Sequence, residues 1–372
     1  MTRRRFAASL AAPAFGRAAQ APRAQIEALT LISKHPDLYH GWPTVGMRRN
    51  GDLLVVYSGG REAHVCPFGR VELMRSSDGG QTWSWPEVLM DSPIDDRDAG
   101  VLETPAGTLL VTTFTSLAYQ QTLDRAKDWP PERLERWRAV NLRATPAQRQ
   151  ALLGCWMLRS TDGGMTWSAP YRVPLNSPHG PISVSDGRLL YAGKQLWEPV
   201  KKAGVIESND DGKTWRWLSD IPARADDSVA DYHELHAVQA ADGRIIVHIR
   251  NHNKANERET LQCESADGGR TWTEPHPIGV WGLPSHLLRL RDGRLLMSYG
   301  YRRPPYGNHA RVSSDNGRSW SEPIVLSDDG TNGDLGYPST VELPGGMLFT
   351  LWYERLKSSP FAVLRSARWR LT

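Results

Sequence analysis

One eight-residue motif recurs five times in this chain of 372 residues. Each copy begins with Ser, has Asp at its third position and ends with Trp. The copies are SSDGGQTW (76–83), STDGGMTW (160–167), SNDDGKTW (208–215), SADGGRTW (265–272) and SSDNGRSW (313–320). Their aspartates are 84, 48, 57 and 48 residues apart. A period of about 50 residues suits one four-stranded sheet per repeat, as in the blades of a β-propeller. The longest spacing is one period plus an insertion.

The rest of the sequence is typical of short strands joined by tight turns. Glycine, proline and tryptophan number 33, 26 and 15. Apolar runs such as LLVVYSG (53–59), IIVHIR (245–250) and MLFTLWY (347–353) are separated by turn-forming residues. We therefore predict an all-β fold, with residues 22–372 forming one propeller domain, because a closed ring can reach this size.

The first 21 residues account for the net charge of +4, because they contain four arginines and no acidic residue. The remainder is neutral, which argues against nucleic-acid binding. Arg3–Arg5, the mildly apolar run 7–15 and Ala19-Gln20-Ala21 are typical of a twin-arginine export signal and its cleavage site. No later stretch has the length and apolarity of a membrane span. We expect residues 1–21 to be a signal peptide and the protein to be exported, periplasmic or extracellular.

Cysteine and histidine spacing indicates neither a disulfide framework nor a metal site. Cys66, Cys155 and Cys263 are isolated and odd in number, and they lack CxxC spacing. The histidines match no zinc signature. We predict no cofactor and no metal, and the oligomeric state stays open.

The recurring motif itself has the chemistry of a turn. Its Asp can accept hydrogen bonds from nearby backbone amides, and its Gly allows a positive φ. The motif resembles the Asp box of the sialidase (neuraminidase) superfamily, and the resemblance extends over residues 30–370. It implies a six-bladed propeller, with a sixth blade lacking the box at 338–372 and closed by a strand from 25–33. It also implies that the box residues are structural.

In that fold the box turns lie on one face of the ring and the ligand loops on the other. Arg-, His-, Asp- and Glu-rich loops fall on the predicted ligand face, which indicates a polar, sugar-like ligand. The insertion, about residues 116–152, falls there too and contains helix-prone segments. It would form either a lid or wall of the pocket or a peripheral decoration.

The resemblance also implies site residues. Sialidases use a Tyr nucleophile activated by Glu, an Asp acid/base and three arginines that bind the substrate carboxylate. By position in the motifs, Tyr337 matches the nucleophile, Glu234 its base, Arg250 the second arginine and Arg302 the third, with Arg303 as an alternative register. Glu354 matches the acid that orients the first arginine, and Arg61 matches another arginine of the first blade.

Two positions depart from the family pattern. Gly41 stands where the first carboxylate-binding arginine is expected, which weakens the argument for sialic acid. The acid/base Asp expected after Arg61 is also absent. Glu62 or His64 could donate the proton there.

The charged loop 95–98 offers further candidates. Asp96 and Asp98 are alternative proton donors, and Asp95 and Arg97 are candidate substrate contacts. This loop could equally be a local salt-bridged turn. Two more residues lie on the ligand face. His236 is expected to bind sugar hydroxyls. Trp42 is expected either to stack on a sugar or to plug the mouth of the ring.

The sequence thus predicts an exported exo-glycoside hydrolase of the sialidase type that acts on a terminal acidic sugar of a glycan. Two other functions remain open. One is a lyase on uronic-acid glycans, with His and Tyr as base and acid. The other is a carbohydrate-binding propeller without turnover, which the missing arginine would favour.

Overall fold

The sequence repeats fold into antiparallel sheets of four strands in the computed structural model, which describes residues 21–372. The predicted export signal lies outside the described residues except for Ala21. The first strand, β1, spans Ala24–Leu31, and two short 3₁₀ helices span Val229–Asp231 and Pro344–Gly346. Blade 1 contains β2 (Tyr39–Met47), β3 (Leu53–Arg61), β4 (Arg70–Ser76) and β5 (Glu87–Met90). Blade 2 contains β6 (Asp95–Glu103), β7 (Leu109–Ser116), β8 (Cys155–Ser160) and β9 (Tyr171–Arg172).

The remaining blades repeat this arrangement. Blade 3 contains β10 (Ile182–Ser183), β11 (Leu189–Lys194), β12 (Ala203–Ser208) and β13 (Arg216–Asp220). Blade 4 contains β14 (Tyr232–Gln239), β15 (Ile245–Asn251), β16 (Glu259–Ser265) and β17 (His276–Trp281). Blade 5 contains β18 (Ser285–Arg289), β19 (Leu295–Tyr301), β20 (Tyr306–Ser313) and β21 (Ile324–Gly330). Blade 6 contains β22 (Gly336–Glu342), β23 (Met347–Arg355) and β24 (Ala362–Leu371).

Blade 6 takes its fourth strand from the start of the described chain. Its strand order is β22-β23-β24-β1, whereas the strands of the other blades are neighbours in chain order. β1 runs antiparallel to β24, from Ala24 opposite Leu371 to Leu31 opposite Arg365. The predicted closing strand corresponds to β1, and the six-bladed propeller is confirmed.

The space between each pair of neighbouring sheets is filled by a separate cluster of buried apolar side chains. Between blades 1 and 6, for example, Trp83 of the first box packs on Phe349 with ring centroids 5.7 Å apart. Burial of one large apolar side chain contributes about 1.5–3 kcal/mol. Six such interfaces make the ring a firm support for the loops on its faces.

Each Asp box is a turn closed by its own carboxylate. Asp162 accepts hydrogen bonds from the Thr166 hydroxyl (2.5 Å) and amide (3.0 Å), from the Met165 amide (2.9 Å) and from the Ser160 hydroxyl (2.7 Å). The hydrogen bond from the Thr166 hydroxyl, followed by the one from its amide, holds the pKa of Asp162 well below its usual range. The other four box aspartates also have lowered pKa values: Asp78, Asp210, Asp267 and Asp315.

We expect these turns to make the protein less stable in acid. A carboxyl whose folded pKa lies below its unfolded value, about 3.9, stabilises the fold above that value and loses this contribution as the pH falls towards the folded pKa. Asp162→Asn should therefore lower Tm more at about pH 6 than near pH 2. Calorimetry at both pH values tests this, with the exposed Asp37→Asn as a control. An equal difference in Tm at both pH values would contradict it.

The insertion between β7 and β8 is helical. Its helices are α1 (Ala118–Asp124), α2 (Pro131–Asn141) and α3 (Pro146–Leu152). Tyr119 and Trp137 of these helices are buried against Cys66 and Ile94, in the loops that follow β3 and precede β6. The insertion therefore supports two loops at the mouth of the ring. Among the described helices, none combines the length and apolarity required to cross a membrane.

Candidate active site

The innermost strands of four blades carry a residue with left-handed backbone near their start. These residues are Trp42 in β2, Asp98 in β6, Glu234 in β14 and Tyr337 in β22, with φ of 52°, 41°, 45° and 53°. Each lies where the pairing with the next strand shifts register. Positive φ is unfavourable for residues other than glycine, and such strain is concentrated at functional sites. The repeated bulge therefore marks one mouth of the ring as the candidate site.

Tyr337, Glu234 and Arg250 form one hydrogen-bonded group at this mouth. The Tyr337 hydroxyl donates to Glu234 Oε1, and Arg250 Nη1 donates to Glu234 Oε2. Arg250 Nη1 also lies 3.2 Å from the Tyr337 hydroxyl. The β14–β15 hairpin places Arg250 opposite His233, the residue before Glu234. Three residues from two blades, all predicted as site residues, are thereby brought together.

The charges of this group follow from its surroundings. Burial acts to raise the pKa of Glu234, but Arg250 and the hydrogen bond from Tyr337 outweigh it, and the pKa is lowered. Burial and the Glu234 carboxylate raise the pKa of Tyr337 well above its ordinary value. At neutral pH the group therefore consists of an ionised carboxylate, a neutral phenol and a guanidinium.

A cavity of about 380 Å³ lies beside this group, between blades 4 and 5. Arg302 lines it and is held by a hydrogen bond from its Nε to Leu335 O (2.9 Å). Within residues 21–372, the terminal guanidinium nitrogens of Arg302 have no hydrogen-bond or ion-pair partner. Arg303 instead stacks over Trp281 at 3.6 Å. The other residues that line the cavity are Arg250, His252, Glu257, Arg258, Trp281, Leu283 and Gly333. Three arginines thus face one cavity.

Arg61 and Asp95 form a sealed ion pair beside the mouth. Both side chains have no exposed surface, and they form two hydrogen bonds, of 2.5 and 3.0 Å. A Cβ atom at Gly69 would overlap with both groups, so glycine lets the loop close over them. In this closed arrangement neither predicted substrate contact is open to a ligand. The ion pair connects the end of β3 in blade 1 to the start of β6 in blade 2.

The two other aspartates of loop 95–98 differ in their surroundings. Asp96 accepts hydrogen bonds from the Ser92 amide and hydroxyl, each 2.7 Å, and burial raises its pKa to about 8. It faces its own loop. Asp98 lies near Arg97, Glu234 and Arg250, and burial raises its pKa to about 7 against the lowering effect of Arg97. Its Oδ1 is buried without a hydrogen-bond partner in the described chain. Asp98 therefore belongs to the candidate site and Asp96 does not.

Trp42 is buried in the apolar cluster between blades 1 and 6, beside the mouth of the ring. It is 1% exposed, and the guanidinium groups of Arg97 and Arg61 lie over its ring at 4.1 and 4.7 Å. Cation–π contacts of this kind occupy the faces that a sugar would need for stacking. The buried ring of Trp42 is therefore not open to a stacking sugar in this arrangement. Its edge-to-face contacts with His64 (5.0 Å) and Tyr337 (6.5 Å) fix two neighbours in the site.

Glu62 and His64, the two proposed replacements for the missing Asp in the loop after β3, have different surroundings. Glu62 accepts hydrogen bonds from Arg136 Nε (3.0 Å) and Trp137 Nε1 (3.1 Å) of α2, so it holds the insertion. The His64 side chain is 48% exposed and lies 2.9 Å from Asp334. Asp334 was not singled out by the sequence. The only signal was its place in a ligand-face loop two residues before Gly336.

Glu354 and Gly41, the two positions linked to the first arginine, contribute no side chain to the candidate site. Glu354 is fully buried, burial raises its pKa, and it binds Arg365 of β24 at 2.8 Å. This pairing replaces the one with a first arginine that the sequence lacks. A side chain at Gly41 would place its Cβ 3.0 Å from the Tyr39 ring, so an arginine there would require that ring to move.

His236 lies below the site in the wall of the central channel. It is 5% exposed, accepts a hydrogen bond from the Leu287 amide (2.9 Å) and stacks on His286 at 4.6 Å. These histidines line a cavity of about 500 Å³ that contacts the innermost strands of all six blades. His236 thus lines this channel cavity and not the arginine-lined cavity beside Tyr337. In residues 21–372 no group of His, Cys, Asp and Glu is arranged to hold a metal ion.

Comparison with known proteins agrees with the fold. A curated sialidase from Bacteroides fragilis is 26% identical over 330 residues, which cover 78% of this chain and 56% of that protein. The chain thus spans just over half the length of this relative. A protein of unknown function from Dyadobacter fermentans has a TM-score of 0.77 at 22% identity, with coverage of 95% of this chain and 100% of that one.

The NanB sialidase of Streptococcus pneumoniae has the same fold, with a TM-score of 0.62 at 14% identity and coverage of 93% of this chain and 70% of that one. The family model described as BNR repeat-like domain matches residues 134–350, more than half of the sequence. The chain therefore belongs to the BNR repeat-like domain family and is a member of the sialidase-like superfamily.

Proposed function

We propose that this protein hydrolyses the glycosidic bond of a terminal acidic sugar through a covalent intermediate on Tyr337. The observation that carries the proposal is the hydrogen-bonded group of Tyr337, Glu234 and Arg250 beside an arginine-lined cavity. The names of the relatives, which are sialidases, support the same class of reaction. We place the reaction outside the cytoplasm because of the twin-arginine pattern at Arg3–Arg5.

The charges of the group suit nucleophilic attack by a phenol. Tyr337 Oη forms a bond to the anomeric carbon while its proton passes to Glu234, and the bond to the leaving oxygen breaks. The raised pKa of Tyr337 keeps the phenol neutral until attack, so it does not repel an acidic substrate. Water then displaces Tyr337, which recovers its proton from Glu234. Two displacements at one carbon retain the anomeric configuration.

The arginines of the cavity support an acidic substrate. Arg250, Arg258 and Arg302 face the cavity, whereas Glu257 is the one carboxylate that lines it. Guanidinium groups bind carboxylates through paired, charge-assisted hydrogen bonds. Because Gly41 supplies no side chain, we assign the acidic group to the Arg250–Arg302 side of the site. This leaves sialic acid as one member of a wider class of acidic sugars.

Arg302→Ala should reduce the preference of the enzyme, measured as kcat/KM, for the free acid over its methyl ester. Loss of a charge-assisted hydrogen bond costs about 1.5–3 kcal/mol, which corresponds to a decrease of about 10–100-fold in kcat/KM for the free acid. The methyl ester of the same sugar should be affected much less. Kinetics on both substrates tests this, with Arg318→Ala in the last box as the control. An unchanged ratio of acid to ester in Arg302→Ala would contradict the assignment.

The reaction class can be tested with aryl glycosides of sialic, glucuronic, galacturonic and iduronic acids. Proton NMR of the first product formed should show a free sugar with retained anomeric configuration. Inversion at the anomeric carbon, or no turnover of any glycoside in the panel, would contradict the proposal.

A lyase remains the second candidate because a histidine and a tyrosine are in contact at the site. His64 Nδ1 lies 2.8 Å from the Tyr39 hydroxyl. Base-catalysed elimination would leave an unsaturated uronic acid that absorbs in the ultraviolet. Ultraviolet absorbance during digestion of a uronic-acid glycan would therefore support the lyase over the hydrolase.

A further inference from the structure

The loop that lacks the expected Asp carries a histidine bound to a carboxylate from another blade. His64 Nδ1 lies 2.9 Å from Asp334 Oδ1. The Tyr39 and Tyr353 hydroxyls donate to the same oxygen, at 3.0 and 3.2 Å. Burial acts to raise the pKa of Asp334, but its hydrogen bonds with His64 and the tyrosines outweigh it, and the pKa is lowered. An ionised Asp334 accepts a hydrogen bond from Nδ1–H and so fixes the tautomer of the neutral His64 ring.

This tautomer leaves the other ring nitrogen of His64 for the substrate. Within the described residues, Nε2 forms no hydrogen bond, and the side chain is 48% exposed. Trp42 contacts the rings of both His64 and Tyr337, so the two groups border the same mouth. The backbone of His64 is held as well, because Arg61 Nη2 (2.9 Å) and Arg97 Nη1 (3.2 Å) donate to its carbonyl oxygen.

We propose that His64, oriented by Asp334, transfers the proton to and from the leaving oxygen in place of an aspartate. The inference rests on the proposed function. In the first step His64 starts protonated on both ring nitrogens and donates the Nε2 proton to the leaving oxygen, as the bond from that oxygen to the anomeric carbon breaks and Tyr337 bonds to the same carbon. In the second step neutral Nε2 takes a proton from water as the water oxygen displaces Tyr337. The net reaction adds one water molecule across the glycosidic bond.

Asp98 and Glu62 fit this role less well. Glu62 is occupied by α2, and Asp98 is 5% exposed and lies near Glu234, the base of the nucleophile. His64 lies on a different blade from both Glu234 and Tyr337. Asp334 is a positioning residue in this account, since it acts through the imidazole. Tyr39 and Tyr353 hold Asp334 in turn.

The leaving group tests the proposal. His64→Gln should lower kcat/KM about 10²–10⁴-fold on an alkyl glycoside, whose leaving oxygen needs a proton. On the 2,4-dinitrophenyl glycoside of the same sugar the loss should be below about 10-fold, because that leaving group departs without protonation. Asp334→Asn should show the same split to a smaller degree. A purely structural role would lower both rates equally.

His276→Gln is the matched control, because His276 is also 48% exposed and pairs with a carboxylate, Glu264, away from the mouth. It should leave both rates unchanged. Equal losses on both substrates in His64→Gln, or a leaving-group split in Asp98→Asn instead, would overturn the proposal even if Tyr337 is the nucleophile. If Tyr337→Phe retains full turnover, the proposed function itself fails.

Discussion

Tyr337→Phe is expected to lower kcat at least about 10³-fold, which is about 4 kcal/mol in the activation barrier. The variant keeps the ring that packs on Trp42 and removes only the hydroxyl that contacts Glu234 and Arg250. Without that oxygen no covalent bond to the sugar can form on this residue. Steady-state kinetics on an aryl glycoside measures the loss, and circular dichroism checks the fold.

Tyr191→Phe provides the matched control for this substitution. Tyr191 is also fully buried, and its hydroxyl contacts the backbone of Ser177 in blade 3. Its variant should lose stability and keep kcat within about 2-fold of the wild type, because it leaves the reacting groups in place. Full activity in Tyr337→Phe, or equal loss of activity in both variants, would contradict the role of Tyr337.

Arg61→Met should destabilise the fold by about 3–5 kcal/mol. The substitution leaves the buried Asp95 carboxylate with only its longer contact to Arg97 Nη1 (3.4 Å), and it removes hydrogen bonds to Ser58 and to the His64 carbonyl oxygen. Chemical denaturation measures the free energy of unfolding. A second substitution, Asp95→Leu, should recover part of the loss because it removes the buried charge that has lost its main partner.

Arg370→Met is the control for this experiment. Its ion pair with Glu27 has side chains that are 45% and 36% exposed, and such pairs contribute about 0–1 kcal/mol. A loss below about 1 kcal/mol in Arg61→Met, or no recovery in the double variant, would show that the Arg61–Asp95 pair is not the support we describe.

The repeated motif allowed the fold to be predicted because the hydrogen bonds of its Asp are formed within the motif itself. Each box Asp, such as Asp162, hydrogen-bonds within its own turn, so eight consecutive residues contain the whole structural signal. The grouping of Tyr337, Glu234 and Arg250 could also be predicted, because the resemblance to sialidases places each of them at a strand end on the ligand face. Their assignment as catalytic residues stays a prediction.

Burial around the site could not be predicted, because it depends on how loops from different blades fold over each other. Arg61 and Asp96 are charged residues of ligand-face loops, yet Gly69 closes over the first and Ser92 binds the second. The contact between His64 and Asp334 joins residues 270 positions apart. No local sequence pattern encodes such a contact. The positive φ of Trp42 and Glu234 is likewise visible only in the three-dimensional structure.

The most direct test of the account is to trap the covalent intermediate. The wild-type protein would be incubated with a fluorinated, activated analogue of the sugar that the glycoside panel identifies, then digested and mapped by mass spectrometry. Fluorine next to the anomeric carbon slows release of the intermediate by destabilising its oxocarbenium-like transition state. We predict that the sugar is attached to the peptide that contains Tyr337, and that Tyr337→Phe carries no label. Attachment to another residue, such as Asp98, or label that persists in Tyr337→Phe, would contradict the central claim.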